Sequence, residues 1–169
     1  YRWDADSKLA QVTVTQTQAK AGDRTSQSGL FDLKIPIGFG TVHDGAATVS
    51  PFTIRIHEYE QVLYFPLTNK PDFISFDVGN HFAKTVKLVY PWPELKAQLQ
   101  SDPDPISRVY AAEAIAEKGG LEAATTLAAA LQAEAFWGVR VAIVKHLAHL
   151  KLAQAVESVL KALQDPHAK

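Results

Sequence analysis

The chain has no cysteine and no methionine, and its charges nearly cancel: 17 Lys and Arg stand against 18 Asp and Glu in 169 residues. Without cysteine it can form no disulfide, no thiolate zinc site and no cysteine nucleophile. A near-neutral balance offers no electrostatic footprint for nucleic acid or anionic lipid. No apolar run approaches the roughly 20 residues of a membrane span. Neither a nucleic-acid partner nor a membrane partner is therefore expected. The opening Tyr1-Arg2-Trp3-Asp4 has no initiator Met and no signal-peptide apolar stretch, which reads as a piece cut from a longer protein.

What is present divides the chain in two. Residues 1–90 hold 7 of the 25 alanines and 6 of the 9 glycines, whereas residues 91–169 hold the other 18 alanines. The first part alternates with period two, the mark of half-buried strands. In Lys8–Gln18, Ala10, Val12 and Val14 share one face, while Gln11, Thr13, Thr15 and Thr17 share the other. The run from Ala19 to Ser28 reads as a loop. Leu30–Gly40 reads as a strand with Phe31, Leu33, Ile35, Ile37 and Phe39 inward, and Pro36, lacking an N–H, suggests that it lies at a sheet edge. Asp44-Gly45 predicts a tight hairpin leading into Thr48–Tyr59. Val62–Leu67, Phe73–Asp77 and Lys84–Val89 complete six strands, and their spacing favours a β-sandwich.

After Pro91-Trp92-Pro93 the grammar is helical. Helices are predicted at Glu94–Ser101, Ile106–Lys118, Leu121–Ala133, Trp137–Leu150 and Ala153–Gln164, with breaks at 102–105, at Gly119-Gly120 and near Lys151. They repeat without a gap. Arg108 aligns with Arg140, Val109 with Val141, Ile115 with Leu147, Leu127 with Val159 and Leu131 with Leu163, a shift of 140 − 108 = 32 residues. A helical hairpin cannot bury its apolar face alone, so stacked copies share a core. Two are present, and Asp165-Pro166-His167 falls where a third would open. The expected fold class is thus mixed, an all-β sandwich over residues 1–90 followed by α-helical hairpin repeats over 91–169.

The residues offer little chemistry. A zinc helix needs two His at i and i+4 with Glu between them, and His57-Glu58-Tyr59-Glu60-Gln61 has Gln at the second position, in strand territory. His146 and His149 can share a helix face, yet no third ligand lies in sequence reach. His43 reads as a turn residue and His81 as a loop or interface residue. There is no Gly-x-Ser-x-Gly elbow. Gly119-Gly120 reads as a helix stop rather than a phosphate cradle, and Asp102 and Asp104 as helix-start acids. Arg108 and Arg140 hold equivalent positions and read as hydrogen-bonding groups between repeats. Trp137 reads as a packing residue, and Tyr90-Pro91-Trp92-Pro93 as glue between the two parts. No catalytic, cofactor-binding or metal-ligating residue is assigned.

Taken in order, several segments resemble the region downstream of the catalytic domain in the aminopeptidase N family of zinc metallopeptidases. They are Trp3, Val12–Thr17, Phe31–Ile37, Tyr64-Phe65-Pro66-Leu67, Lys70-Pro71, Phe76-Asp77-Val78-Gly79-Asn80 and Lys84-Thr85. Glu94-Leu95, Gln98-Leu99, Asp102, Arg108, Ala111-Ala112 and Phe136-Trp137-Gly138-Val139-Arg140 look like the start of that family's HEAT-like helical domain. Val78 and His81 stand where many relatives have Pro and an aromatic. The resemblance implies a linker sandwich followed by HEAT-like repeats. It also implies a zinc-bearing catalytic domain upstream, whose motifs match no position here. Expected partners are that catalytic domain, within the same polypeptide, and the peptide substrates of the parent. No cofactor is expected in this chain. A non-peptidase relative in the general transcription machinery shares the modules without the zinc site, so a protein-binding scaffold is the alternative.

Overall fold

The computed structural model describes residues 1–19 and 29–164. Six strands come first: β1 (Arg2–Asp4), β2 (Leu9–Thr15), β3 (Leu33–His43), β4 (Ala46–Ile56), β5 (Glu60–Pro66) and β6 (Phe73–Phe76). They make two antiparallel three-stranded sheets, ordered β1-β2-β5 and β4-β3-β6. The alternation decides which faces meet. Ala10 and Val12 of β2 and Phe65 of β5 are buried with Ile35, Ile37 and Phe39 of β3 and Ile54 and Ile56 of β4. Phe65 bridges the sheets, its ring centroid 5.0 Å from Phe39 and 5.4 Å from Phe52, in the tilted arrangements that ring quadrupoles favour. These contacts make the sandwich. Its long hairpin turns at Asp44-Gly45 with both residues at positive φ, 50° and 78°, the geometry for which Asp-Gly is selected.

Three details differ from the sequence reading. The second long strand starts at Leu33, and Phe31 is 58% exposed rather than inward. That strand is also central, not an edge, because β4 pairs along its whole length and β6 pairs with Ile37–Gly40. Pro36 is tolerated because its carbonyl accepts from Val78 N–H at 3.0 Å. Its absent N–H therefore points to the β6 side, past the end of β6 at Phe76, and costs no bond to β4. Lys84–Val89 forms no strand. Its alternation is met by packing, with Leu88 buried, while Tyr110 Oη donates to Lys84 O at 3.4 Å and Lys87 pairs with Glu117 at 3.1 Å. The short β1, which had no sequence signal beyond Trp3, takes the sixth place. Most of the predicted 19–28 loop, residues 20–28, lies outside the described residues, as does Asp165-Pro166-His167.

Five helices follow: α1 (Trp92–Ser101), α2 (Pro105–Lys118), α3 (Gly120–Ala133), α4 (Trp137–His149) and α5 (Ala153–Ala162). α2 begins with Asp104, whose Oδ1 accepts from Ile106 N–H at 2.9 Å, and with Pro105 in the first turn, both as helix starts require. It ends at Gly119, φ 70°, whose N–H reaches Ala116 O at 3.0 Å. The 32-residue shift maps α2 onto α4 and α3 onto α5, and in space α2 packs on α4 and α3 on α5. Ala111, Ala112, Ala123 and Ala124 are all fully buried. Their small side chains let the helix axes approach closely, while Ile115, Leu127, Ile143 and Leu147 fill the shared core. Among the described residues no helix is long and apolar enough to cross a membrane.

Candidate functional site

The buried polar groups concentrate where the β4-β3-β6 sheet meets the helices. β6 lies against α1, and the contact between them is unusually polar for so buried a place. Ser75 Oγ of β6 and Ser107 Oγ of α2 share a hydrogen bond of 2.9 Å, both side chains almost wholly buried. Beside them α1 lines up Glu94, Gln98 and the following Asp102, each four residues from the last and so on one helix face. All three are at most 2% exposed. Lys70, from the turn before β6, reaches Glu94 Oε1 at 2.8 Å. Gln98 Nε2 donates to Asp102 Oδ2 at 3.3 Å, and Asp102 Oδ1 accepts from Asp104 N–H at 3.0 Å. Glu94 Oε2 and Gln98 Oε1 are left without a partner. Burial pushes the Asp102 carboxyl above its ordinary range, against the pull of the hydrogen bonds it accepts. It also pushes the Tyr90 phenol up, with the Asp102 charge adding to the effect.

The chain leaves β6 through a loop that is the second half of this joint. Asp77, Gly79 and Asn80 have φ of 58°, 87° and 52°. Asp77 is buried and collects three donors: Lys84 Nζ at 2.6 Å, Phe82 N–H at 3.1 Å and His81 Nδ1 at 3.2 Å. Burial raises its carboxyl, but these donors, Lys84 foremost, outweigh burial and leave it below the usual range. Lys84 also donates to Asn80 Oδ1 at 2.7 Å and lies 5.9 Å over the Tyr110 ring of α2. The left-handed turn thus folds back on a buried carboxylate and presents its lysine to the helices.

Arg108 makes the corresponding link within the helical array. Its Nε and Nη2 donate to Glu134 Oε2 and Oε1 at 2.8 and 2.9 Å, and Nη1 to Asp102 O at 2.8 Å. Arg140 repeats the pattern one unit on, Nη1 donating to Glu134 O at 3.1 Å and Ala135 O at 2.8 Å. The expected inter-repeat role of Arg108 is met, since Glu134 opens the second repeat. Arg108 and Glu134 line an open depression of about 480 Å³ together with Leu99, Gln100, Ala130 and Ala133. Every guanidinium nitrogen of Arg108 is spent on the protein, so the depression presents a paired charge among small apolar side chains and Gln100.

The other singled-out residues fall apart in space. His57 follows β4 and lies 3.8 Å from Glu58, and the Gln61 side chain accepts its N–H at 3.0 Å. His149 Nδ1 lies 2.6 Å from Lys145 O in the last turn of α4, and burial lowers the His146 imidazole. His43 ends β3. Among the described residues no group of three His, Asp or Glu side chains could hold a metal ion, so these residues do not fit a zinc site. Trp137 and Phe136 meet in a tilted ring contact with centroids 5.9 Å apart, but both are 44% exposed. Trp92 carries Lys96 and Lys118 over its ring at 5.3 and 5.6 Å, and Tyr90 is buried at the junction as expected. Residue patterns missed the Lys70–Glu94, Asp77–Lys84 and Ser75–Ser107 pairs. The one available signal was the charged and Gly-Asn content of 77–84 in an otherwise apolar stretch.

Residues 92–169 match the family described as HEAT repeats, which takes in all five helices. No curated protein matches the chain.

Proposed function

We propose that this chain is a non-catalytic region of an aminopeptidase N-like zinc metallopeptidase, a sandwich that braces the catalytic domain and helices that begin the shell around the substrate. One observation carries the reading. Of the residues through which the chain resembles that family, Lys70, Asp77, Asn80, Lys84, Glu94, Gln98 and Asp102 lie in the joint, and Arg108 ties the helical array to the Asp102 carbonyl. A buried polar joint of this kind fixes one relative geometry, because every alternative leaves a charge unpaired. That is the property a brace needs. The chemistry of the parent belongs to zinc held elsewhere, and no step of it is assigned to a residue here.

Two tests follow. The reading frame upstream of Tyr1 should encode His-Glu-x-x-His with a further Glu ligand beyond it; a parent without that helix sinks the reading. The purified chain should leave aminoacyl chromogenic substrates uncleaved and retain no stoichiometric zinc after dialysis, whereas tight zinc lost on His146→Ala would overturn it. A scaffold reading draws on the half-exposed Phe136–Trp137 pair beside the apolar depression, since exposed aromatics mark binding surfaces. The same upstream sequence separates the two.

A further inference from the structure

The buried row on α1 is one donor short. Gln98 stands between two carboxyls, Glu94 one turn before it and Asp102 one turn after. Its side-chain amide has a donating end and an accepting end. The donating end is given to Asp102, Nε2 to Oδ2 at 3.3 Å, longer than the roughly 2.7–2.9 Å usual when the acceptor is charged. The accepting end is turned the other way, toward the turn that holds Glu94, and Oε1 finds no donor there. Glu94 spends Oε1 on Lys70 at 2.8 Å, and its Oε2 is also unpaired. Two acceptors are thus buried without a hydrogen bond, each an unfavourable arrangement. Turning the amide over exchanges its ends: Nε2 serves Glu94, and Oε1 comes to face Asp102 Oδ2. Two acceptors can meet there only with a hydrogen between them. Asp102 Oδ1 is already taken by the Asp104 N–H at 3.0 Å, so a proton on this carboxyl belongs on Oδ2, aimed at the amide oxygen.

We propose that Gln98 is a proton-linked latch in the joint: when Asp102 takes up a proton from solvent, the amide turns over and passes its N–H from Asp102 to Glu94. With the proton on, the row runs from Asp102 through Gln98 and Glu94 to Lys70, and every acceptor in it has a donor. With the proton off, the two acceptors on the Glu94 side are unpaired. The joint between sheet and helices is therefore tighter in the protonated state and loosens as the pH rises. The surroundings of Asp102 point the same way. Burial and the Asp104 charge oppose its ionisation, and burial outweighs the Asp104 N–H, the Ser75 hydroxyl of β6 and Gln98, which favour it. The Tyr90 phenol also faces it, and Arg108 of α2 holds its backbone carbonyl while spending its charge on Glu134. At the Glu94 end stand Lys70 and Tyr1. The inference stands whether or not the parent is a peptidase.

The test follows both groups in one isotope-labelled sample of the chain by nuclear magnetic resonance. As pH is brought from about 8 to about 4, across the carboxylate range and above it, the shift of the Asp102 carboxyl carbon reports its proton. The Overhauser contacts of the Gln98 amide hydrogens report which way the amide faces. Those contacts should move from the Asp102 methylene to the Glu94 methylenes, with the same midpoint as the carboxyl. Asp102→Asn places a donor at that position at every pH and should hold the amide nitrogen on Glu94 throughout. Glu94→Gln can donate to Gln98 Oε1 as it stands and should keep the nitrogen on Asp102. A carboxyl that titrates while the amide keeps its contacts would overturn the proposal. So would one unchanging set of contacts across the whole range, or an Asp102→Asn chain whose amide nitrogen stays at position 102.

Discussion

Replacing Arg108 by alanine tests the central claim about the helical array, that its two repeats are locked by one charged cluster. The side chain makes three hydrogen bonds of 2.8 to 2.9 Å and is 14% exposed, and its partner Glu134 is 6% exposed. Truncation strands the Glu134 carboxylate in a nearly dry site and leaves Asp102 O without its donor. Breaking a buried pair this way costs about 3–5 kcal/mol. The Phe136 N–H, which still donates to Glu134 Oε1 at 2.7 Å, holds the loss to the lower end, about 3 kcal/mol. For a chain of this size that lowers Tm by roughly 6–12 °C. Arg108→Lys keeps the charge but cannot serve Glu134 twice and Asp102 O at once, and should lose about 1–2 kcal/mol. Urea unfolding followed by far-UV circular dichroism measures both. A cycle with Glu134→Ala should return a coupling of at least about 1 kcal/mol, because the two side chains form a little-exposed ion pair at 2.8 Å. A loss below about 0.5 kcal/mol for Arg108→Ala, or strictly additive single variants, would refute the lock.

Three further outcomes are expected. Asp102→Asn should stabilise the chain at neutral pH, since the raised carboxyl means that the folded state prefers the neutral form. Stability owed to the protonated group is fully present below the ordinary carboxylate range and lost as pH rises through the raised value. The advantage of the variant should therefore vanish on acidification, and a variant no more stable than the parent at pH 7 would contradict this. Asp77→Asn keeps a residue that tolerates positive φ but strips Lys84 of its counter-charge, and should cost about 1–3 kcal/mol above pH 5. Here the folded carboxyl is lowered, so the gap to the parent should close as pH falls through and below the ordinary Asp value, as thermal melts across that range would record. Gly40→Ala puts a Cβ into the Phe73 ring, which is fully buried and has nowhere to go. About 1–3 kcal/mol should be lost by overpacking, and Phe73→Leu in the same chain should recover part of it.

Much of the architecture was readable because the pattern and the burial are the same fact. Ala10 and Val12 alternate because one side of β2 is inside, and Arg108 recurs at Arg140 because each repeat needs the same donor at the same turn. The reading failed where periodicity has two physical causes. Lys84–Val89 alternates as a strand does, but its inward residues face a helix, and no ladder forms. Pro36 argued for an edge because sequence shows a missing donor without the direction in which it would have pointed. The joint was the least visible. Lys70 and Glu94 are 24 positions apart and Ser75 and Ser107 are 32 apart, each unremarkable alone, and only the fold brings them within bonding distance.

The direction of Pro36 has a counterpart on the outer side of the same hairpin. Gly38 and Gly40 turn their backbone groups toward β6, so their partners on β4, Pro51 and Val49, turn theirs away from β3 into open solvent. An eleven-residue strand with a free edge is a template on which a strand from another molecule can polymerise. Pro51 removes one of the outward donors near the middle of that edge, and the exposed Arg55, paired with Asp32 at 2.6 Å, sets a bulky charged pair farther along it. A Pro51→Val chain would keep its fold and regain an unbroken edge, and it should be the variant that aggregates on storage and in refolding.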